Sequence, residues 1–297
     1  MGRKGRRIIV IPFLLPALIF YGYLFVYPAF QALWVSLHSW SGFTPQMDFI
    51  GLQNFVELTK DPIFHTALRN TALIMLAGGV LTFVLTFLFV GIISRRGIKG
   101  KSLWRAVLFF PNVVPPVALG VLWGFIYNYD FGILNAFLRL VGLDSLVRTW
   151  LDIAHVVPSI LIMMAWAYMG FYVVMMLAGI DKIPPDYYEA AVVEGAGEWQ
   201  IFFRVTVPLL WDVVVVAITL WVIGALKTFD IVYVMTEGGP ANASKTIAIQ
   251  LYEMAFGFRA PIFRMGYATA MGVVLLILVI VGVGVVRVLT RRESVEY

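Results

Sequence analysis

The sequence DKIPPDYYEAAVVEGAGEWQIFFRVTVP (Asp181–Pro208) stands between two apolar runs, Val156–Ile180 and Leu209–Met235. Each run is long enough to cross the hydrocarbon core of a bilayer, because a spanning helix needs about 20 mostly apolar residues. A polar segment between two such spans lies at one face of the membrane. The chain is therefore predicted to be a set of membrane-spanning helices joined by loops at the bilayer surface.

The same segment predicts a helix–turn–helix. Pro184 and Pro185 suit the start of a helix, where an N–H donor is not needed. A glycine, Gly195 or Gly197, can end that helix in a left-handed turn because it has no Cβ. A second short helix is expected over Glu198–Arg204, with the fifth apolar run opening at Pro208 soon afterwards. Residues 181–208 are thus expected to form a compact acidic knob.

Composition supports an all-α integral membrane protein. Of the 297 residues, 61% are hydrophobic and only 13% are charged, whereas a soluble domain is usually about 25% charged. Charge this sparse cannot cover a water-facing surface. Six membrane spans are predicted, and residues 1–297 are expected to form one transmembrane domain. The spans lie at about 8–37, 67–93, 103–127, 156–180, 209–235 and 265–289.

The distribution of basic residues predicts the orientation. Lys and Arg are concentrated in cytoplasmic loops of membrane proteins, and here most of the 22 precede the first span, follow the last, or lie in the second and fourth loops. Both termini are therefore expected in the cytoplasm, and the net charge of +5 reflects topology rather than nucleic-acid binding. A signal peptide is the alternative for the first span, but its apolar run is too long for one.

Residues 181–208, which we call the coupling loop, resemble the EAA loop of ABC-importer permeases. That family has the pattern EAA-x3-G-x9-I-x-L-P, and this chain has Glu189-Ala190-Ala191, then Gly195, then Val205-Thr206-Val207-Pro208. Valines replace the Ile and Leu of the pattern. Three further stretches resemble the maltose-type sugar permeases of that family. They are Gly51–Thr71, Lys227–Pro240 and Met265–Met271.

The resemblance implies a transport subunit that performs no covalent chemistry. Its first helix in the coupling loop would dock in a cleft of a separate ATPase. The residues implied in that contact are Glu189, Ala190, Ala191, Glu194, Gly195, Gly197 and Pro208. A similar second permease, two ATPase copies and an extracytoplasmic binding protein would complete the importer in a bacterial or archaeal inner membrane. ATP and Mg²⁺ would bind to the ATPase, and this chain would bind no cofactor. An amphipathic helix on lipid is the alternative, although such helices favour basic polar faces.

No nucleotide, metal or nucleophile motif is found. Gly239–Thr246 imitates a phosphate-binding loop, but its second glycine is missing and a proline occupies a flexible position. Cysteine is absent, and the three histidines form no metal-ligand pattern. These absences argue against a membrane enzyme.

Polar and aromatic residues within the spans are candidates for the substrate path, since polar groups at membrane depth are costly. Prolines interrupt span three around Asn112 and Pro115, either as a packing kink or at a substrate site. Aromatic rings in span four either bind sugar or pack between helices; they are Trp166, Tyr168 and Tyr172. In span five, Lys227 and Asp230 are expected on one helix face, with Tyr233 one turn beyond. These two charges either form a structural ion pair or line the path.

The favoured function is passage of a sugar, a mono- or oligosaccharide, under control of the separate ATPase. An importer of glycerol 3-phosphate or a related polyol phosphate is the alternative within the family. A self-sufficient, ion-coupled secondary transporter is the alternative from another class, and uptake by this chain alone would identify it.

Overall fold

A computed structural model describes residues 13–95, 97–257 and 262–291. Several sequence-based predictions lie outside these residues. They are the first five residues of span one, the basic N-terminal cluster Arg3, Lys4, Arg6 and Arg7, and Arg96. Everything below concerns the described residues.

The described chain is mainly helical, as predicted. Thirteen helices follow one another: α1 Phe13–Val35, α2 Gln53–Leu58, α3 Pro62–Ile93, α4 Lys101–Val113, α5 Pro116–Ile126, α6 Ile133–Leu140, α7 Val156–Ile180, α8 Pro185–Val193, α9 Glu198–Leu209, α10 Trp211–Leu226, α11 Asp230–Thr236, α12 Ile247–Phe256 and α13 Met265–Leu289. A 3-10 turn follows α6 at Asp144–Leu146. Two short strands, β1 His38–Ser39 and β2 Asp48–Phe49, pair antiparallel, with His38 opposite Phe49.

Four helices, α1, α3, α7 and α13, are each long and apolar enough to cross a membrane. Two further spans are possible if each bent helix pair counts as one: α4 with α5, bent by 95°, and α9 with α10, bent by 74°. The bounds of α7 and α13 match the predicted spans at 156–180 and 265–289. The count of six spans rests on the bent pairs and stays a prediction.

The chain divides into two compact units, Met1–Phe64 with Gln250–Leu276, and His65–Ile249 with Ile277–Tyr297. The single membrane domain expected over residues 1–297 stays a prediction.

In the first unit, Asp61 caps the start of α3. Its carboxylate accepts hydrogen bonds from the backbone N–H groups of Ile63 and Phe64, at 2.8 and 3.2 Å. The side chains of Gln250 and Tyr267 donate to its other oxygen, at 2.9 and 2.7 Å. Burial alone would raise the pKa of Asp61, but the four hydrogen bonds together hold that pKa below its usual value. The carboxylate therefore stays charged and ties α3, α12 and α13 together.

In the second unit, the apolar core is built around α7, because this helix packs against both α3 and α4. The crossing with α4 depends on Gly170. A Cβ at Gly170 would lie 1.8 Å from the carbonyl oxygen of Leu108, well inside contact distance. The two backbones can approach this closely only because the glycine has no side chain.

We predict that Gly170→Ala destabilises the protein. The added methyl meets backbone rather than a movable side chain, so α4 and α7 must separate, at a cost of about 1–3 kcal/mol. Gly124→Ala in α5 is the matched control, because a Cβ there meets nothing within 4 Å. The apparent melting temperature of the detergent-solubilised protein should fall in the first variant and hold in the second. Equal melting temperatures would refute this account of the crossing.

Candidate functional site

Helix α8, the first helix of the coupling loop, ends in a left-handed turn at Gly195, one of the two glycines that the sequence predicts for this turn. Its φ is 78°. The N–H of Ala196 donates to the carbonyl of Ala191, and the N–H of Gly195 donates to that of Val192, both at 3.0 Å. This pair of bonds is the Schellman motif, which satisfies the last carbonyls of a helix. Gly197 has a φ of −71° and instead begins α9.

The residues expected to meet the ATPase lie on the surface. None of the α8 residues is buried, and Glu189, Ala190 and Glu194 are all exposed. Ala191 is half-buried, and Gly195, Gly197 and Pro208 are exposed. A helix with an acidic, exposed face and two small residues offers a surface that a partner can approach closely.

The second half of the coupling loop differs from the prediction. The short helix expected over Glu198–Arg204 continues to Leu209, and Pro208 lies in its last turn rather than opening the fifth span. The bend falls at Leu210. A π-helical turn, Phe202–Thr206, precedes the proline. Proline has no N–H to donate, so the helix rearranges its hydrogen bonds before it.

The proline break predicted for span three is confirmed. Helix α4 ends at Val113, and both Val114 and Pro115 take extended ψ angles, 133° and 137°. A residue before proline is pushed out of the helical region by the ring that follows it, and here two such residues stand in succession. The chain turns by 95° and α5 begins at Pro116. Asn112 is half-buried, in the last turn of α4.

The prediction that Lys227 and Asp230 share one helix face is wrong. Helix α10 ends at Leu226 and α11 begins at Asp230, so the two residues stand on opposite sides of a helix break. Both side chains are exposed, and within the described residues no ion pair joins them. Thr246 Oγ1 donates a 3.0 Å hydrogen bond to the carbonyl of Thr228, in the middle of the break. In this break, a side-chain hydrogen bond from a residue outside both helices takes the place of a backbone hydrogen bond within a helix.

The two breaks border the same cavity. It has a volume of about 140 Å³ and is lined by Pro116, Tyr168, Gly224, Lys227, Thr228, Phe229, Asp230 and Ile231. A second cavity of about 120 Å³ shares three of these residues and adds Met164, Tyr172, Trp221 and Ala225. Sites for drug-sized ligands usually measure about 300–1,000 Å³. These cavities are smaller than that and together form one open recess, whose first part carries Lys227 and Asp230 and whose second part is lined mainly by apolar and aromatic side chains.

The predicted path residues divide into two groups. Tyr168, Lys227 and Asp230 line the recess, and Tyr172 lines its second part. The other four do not line either cavity: Asn112, Pro115, Trp166 and Tyr233. Trp166 packs edge-on against Trp123, with ring centroids 5.4 Å apart, and Tyr233 stacks on Phe229 at 4.9 Å.

Trp221 is a lining residue that sequence reasoning missed. Its indole lies 6.3 Å from the rings of both Tyr168 and Tyr172. Its Nε1–H donates a 2.8 Å hydrogen bond to the carbonyl of Met75, within the π-helical turn Ile74–Gly78 of α3. A buried tryptophan needs such a partner for its N–H. The only signal in the sequence was an indole in the middle of an apolar run.

Interrupted helices that border an open recess, together with an exposed loop helix, are features of membrane transport proteins. Residues 87–295 match the model of the family described as "Binding-protein-dependent transport system inner membrane component". This chain belongs to that family. It is a multi-pass transport subunit, and the resemblance to ABC-importer permeases is confirmed.

The chain is also similar to individual members. It is 38% identical to the probable ABC transporter permease YurN of Bacillus subtilis, covering 92% of each chain. It is 36% identical to the diacetylchitobiose uptake permease NgcF of Streptomyces coelicolor, over 89% of this chain and 77% of the relative. The fold matches a chain of a bacterial alginate ABC transporter with a TM-score of 0.79, covering 97% of this chain and 98% of that one at 23% identity.

We predict that Trp221→Phe lowers stability by about 1 kcal/mol, because it removes the donor to the Met75 carbonyl. Trp166→Phe is the matched control. It makes the same change in an indole that packs without lining the recess. Thermal unfolding in detergent should separate the two variants. An equal or larger loss in the control would show that loss of indole packing, rather than loss of this hydrogen bond, accounts for the effect.

Proposed function

We propose that this chain is the permease subunit of an ATP-driven sugar importer. The observation that carries the proposal is the exposed acidic helix α8, closed by its Schellman turn at Gly195. This shape fits a groove on another protein, and the family is defined by dependence on a binding protein. A separate ATPase would supply the energy and would bind the ATP and Mg²⁺.

The proposed cargo is a neutral mono- or oligosaccharide. Curated relatives support it: NgcF is named for diacetylchitobiose, and a permease from Thermococcus litoralis, 32% identical over 82% of this chain, is named for trehalose and maltose. Tyr168 and Tyr172 present aromatic rings at the recess, and Lys227 and Asp230 present hydrogen-bonding groups. The apolar faces of a sugar can stack on the two tyrosine rings, and its hydroxyl groups can hydrogen-bond to Lys227 and Asp230.

In the proposed mechanism, a second, similar permease encloses the other half of the path. Two ATPase copies dock beneath, both termini of this chain face them in the cytoplasm, and a binding protein delivers the sugar from outside. ATP binding closes the ATPases and displaces α8, which stabilises the outward-open state. Hydrolysis and release then favour the inward-open state. Alternating access is thus a shift between two states by differential binding.

A polyol phosphate is the second candidate cargo. Lys227 favours it, because this cation is exposed at the recess and forms no ion pair among the described residues. Asp230 at the same recess opposes it by repelling a phosphate.

The cargo can be identified by tagging this chain in its native host and purifying the intact complex. We expect an ATPase, a second permease and a binding protein to co-purify, and mass spectrometry of the binding protein's ligand to give a neutral sugar. A phosphorylated ligand would select the second candidate. Solute accumulation by this chain alone, in vesicles without nucleotide, would contradict an ATP-driven importer.

The docking role of α8 predicts that Glu189→Lys abolishes stimulation of ATPase activity by the loaded binding protein, because charge reversal repels a basic or polar partner groove. Asp144→Lys is the matched control, since Asp144 is also exposed but lies in the third loop. The purified complex, assayed in lipid nanodiscs, should respond in the control only. Full stimulation in the Glu189 variant would remove the docking role.

A further inference from the structure

Helix α8 is poorly packed against the rest of the second unit. It buries no side chain, and a cavity of about 540 Å³ separates it from the ends of α3 and α7. Tyr188 and Val192 of α8 face that cavity, and Gly91 and Ile180 lie among the residues on its other walls. Because the middle of α8 lies over this cavity, it has no packed neighbours there to which it could transmit a movement. Movement of α8 must therefore be transmitted through contacts at its two ends.

The segment that follows α8, at the start of α9, contacts the end of α3. Arg95, two residues beyond the end of α3, contacts the carboxylate of Glu198 at 3.2 Å. Its guanidinium also stacks over the Trp199 ring, 4.6 Å from the centroid. The same ring packs on Gly91, where a Cβ would lie 2.8 Å from the indole. The charge pair, the cation–π contact and the close packing hold one position of α9 relative to α3.

The segment that precedes α8, between α7 and α8, contacts α4. Asp181, directly after α7, accepts two hydrogen bonds from Arg105 Nη2, at 3.3 Å to one carboxylate oxygen and 3.1 Å to the other. Arg105 lies in the first half of the broken third span, whose second half begins at the recess. A displacement of the Asp181 end is therefore passed to the helix that leads to the recess.

We propose that Arg95–Glu198 and Arg105–Asp181 are the positioning contacts that carry motion of α8 into α3 and α4. The inference rests on the proposed docking of α8 to an ATPase. Ion pairs as exposed as these contribute only about 0–1 kcal/mol to stability, so their role is geometric. Neither pair lines the recess. Each converts a movement of the loop into a movement of a span.

Charge reversal tests the proposal in the purified complex with its co-purifying binding protein. Arg95→Glu and Glu198→Arg should each reduce stimulation of ATPase activity about tenfold, a typical size for an allosteric coupling. The double variant restores the pair with its charges exchanged and should recover most of the stimulation. The same cycle with Arg105→Glu and Asp181→Arg tests the second pair. Lys99→Glu is the control, because it reverses a basic charge at an exposed residue in the loop that carries Arg95.

The decisive readout is the ratio of stimulated to basal ATPase activity, together with sugar imported per ATP. A merely structural role would change the melting temperature and the yield of complex and leave that ratio intact. Unchanged stimulation in the single variants, or no recovery in the doubles, overturns the proposal. If Glu189→Lys loses the stimulation of ATPase activity and Arg95→Glu keeps all of it, only the proposal about the ion pairs is refuted. If Glu189→Lys itself keeps full stimulation, the proposed docking of α8 to an ATPase is refuted.

Discussion

Hydrogen bonding of the backbone in a medium without water is the constraint on which this structure depends. Inside hydrocarbon, each unpaired N–H or carbonyl costs several kcal/mol, so helix breaks are tolerated only against protein or a water-filled space. The side chains at the interruptions meet that demand. Thr246 donates to the carbonyl of Thr228 within the break, and Asn70 donates to the carbonyls of Ala243 and Lys245 in the turn that follows α11. The recess exists because other residues of the second unit satisfy the groups that its walls expose.

The same constraint explains which parts of the fold could be predicted. Long helices with uniform apolar character, α7 and α13, have the bounds that the sequence predicts, because nothing in them competes with helical pairing. The bend at Val114 and Pro115 was also predictable, since two prolines impose it locally. So was the turn at Gly195, where a local rule and the family pattern agree.

The break between Leu226 and Asp230 was not predictable, because no proline marks it and the contacts that stabilise it come from distant residues. Thr246 is eighteen positions away in sequence. The role of Trp221 was missed for the same reason, since its partner Met75 belongs to another span. Of the predicted path, Tyr168, Tyr172, Lys227 and Asp230 line the recess, whereas Asn112, Pro115, Trp166 and Tyr233 do not. Local chemistry identifies candidates, and packing decides which of them face the open space.

The crossing of α4 and α7 has a mechanical consequence. With Gly170 against the carbonyl of Leu108, no side chain separates the two backbones at this point, so we expect α4 to tilt about it more readily than it slides past it. Arg105 lies about 4.5 Å along the axis on one side of this fulcrum, and Val113 about 7.5 Å on the other, at 1.5 Å per residue. Helix α4 is therefore a short lever with unequal arms. A small displacement at its Arg105 end becomes a larger displacement at the proline break.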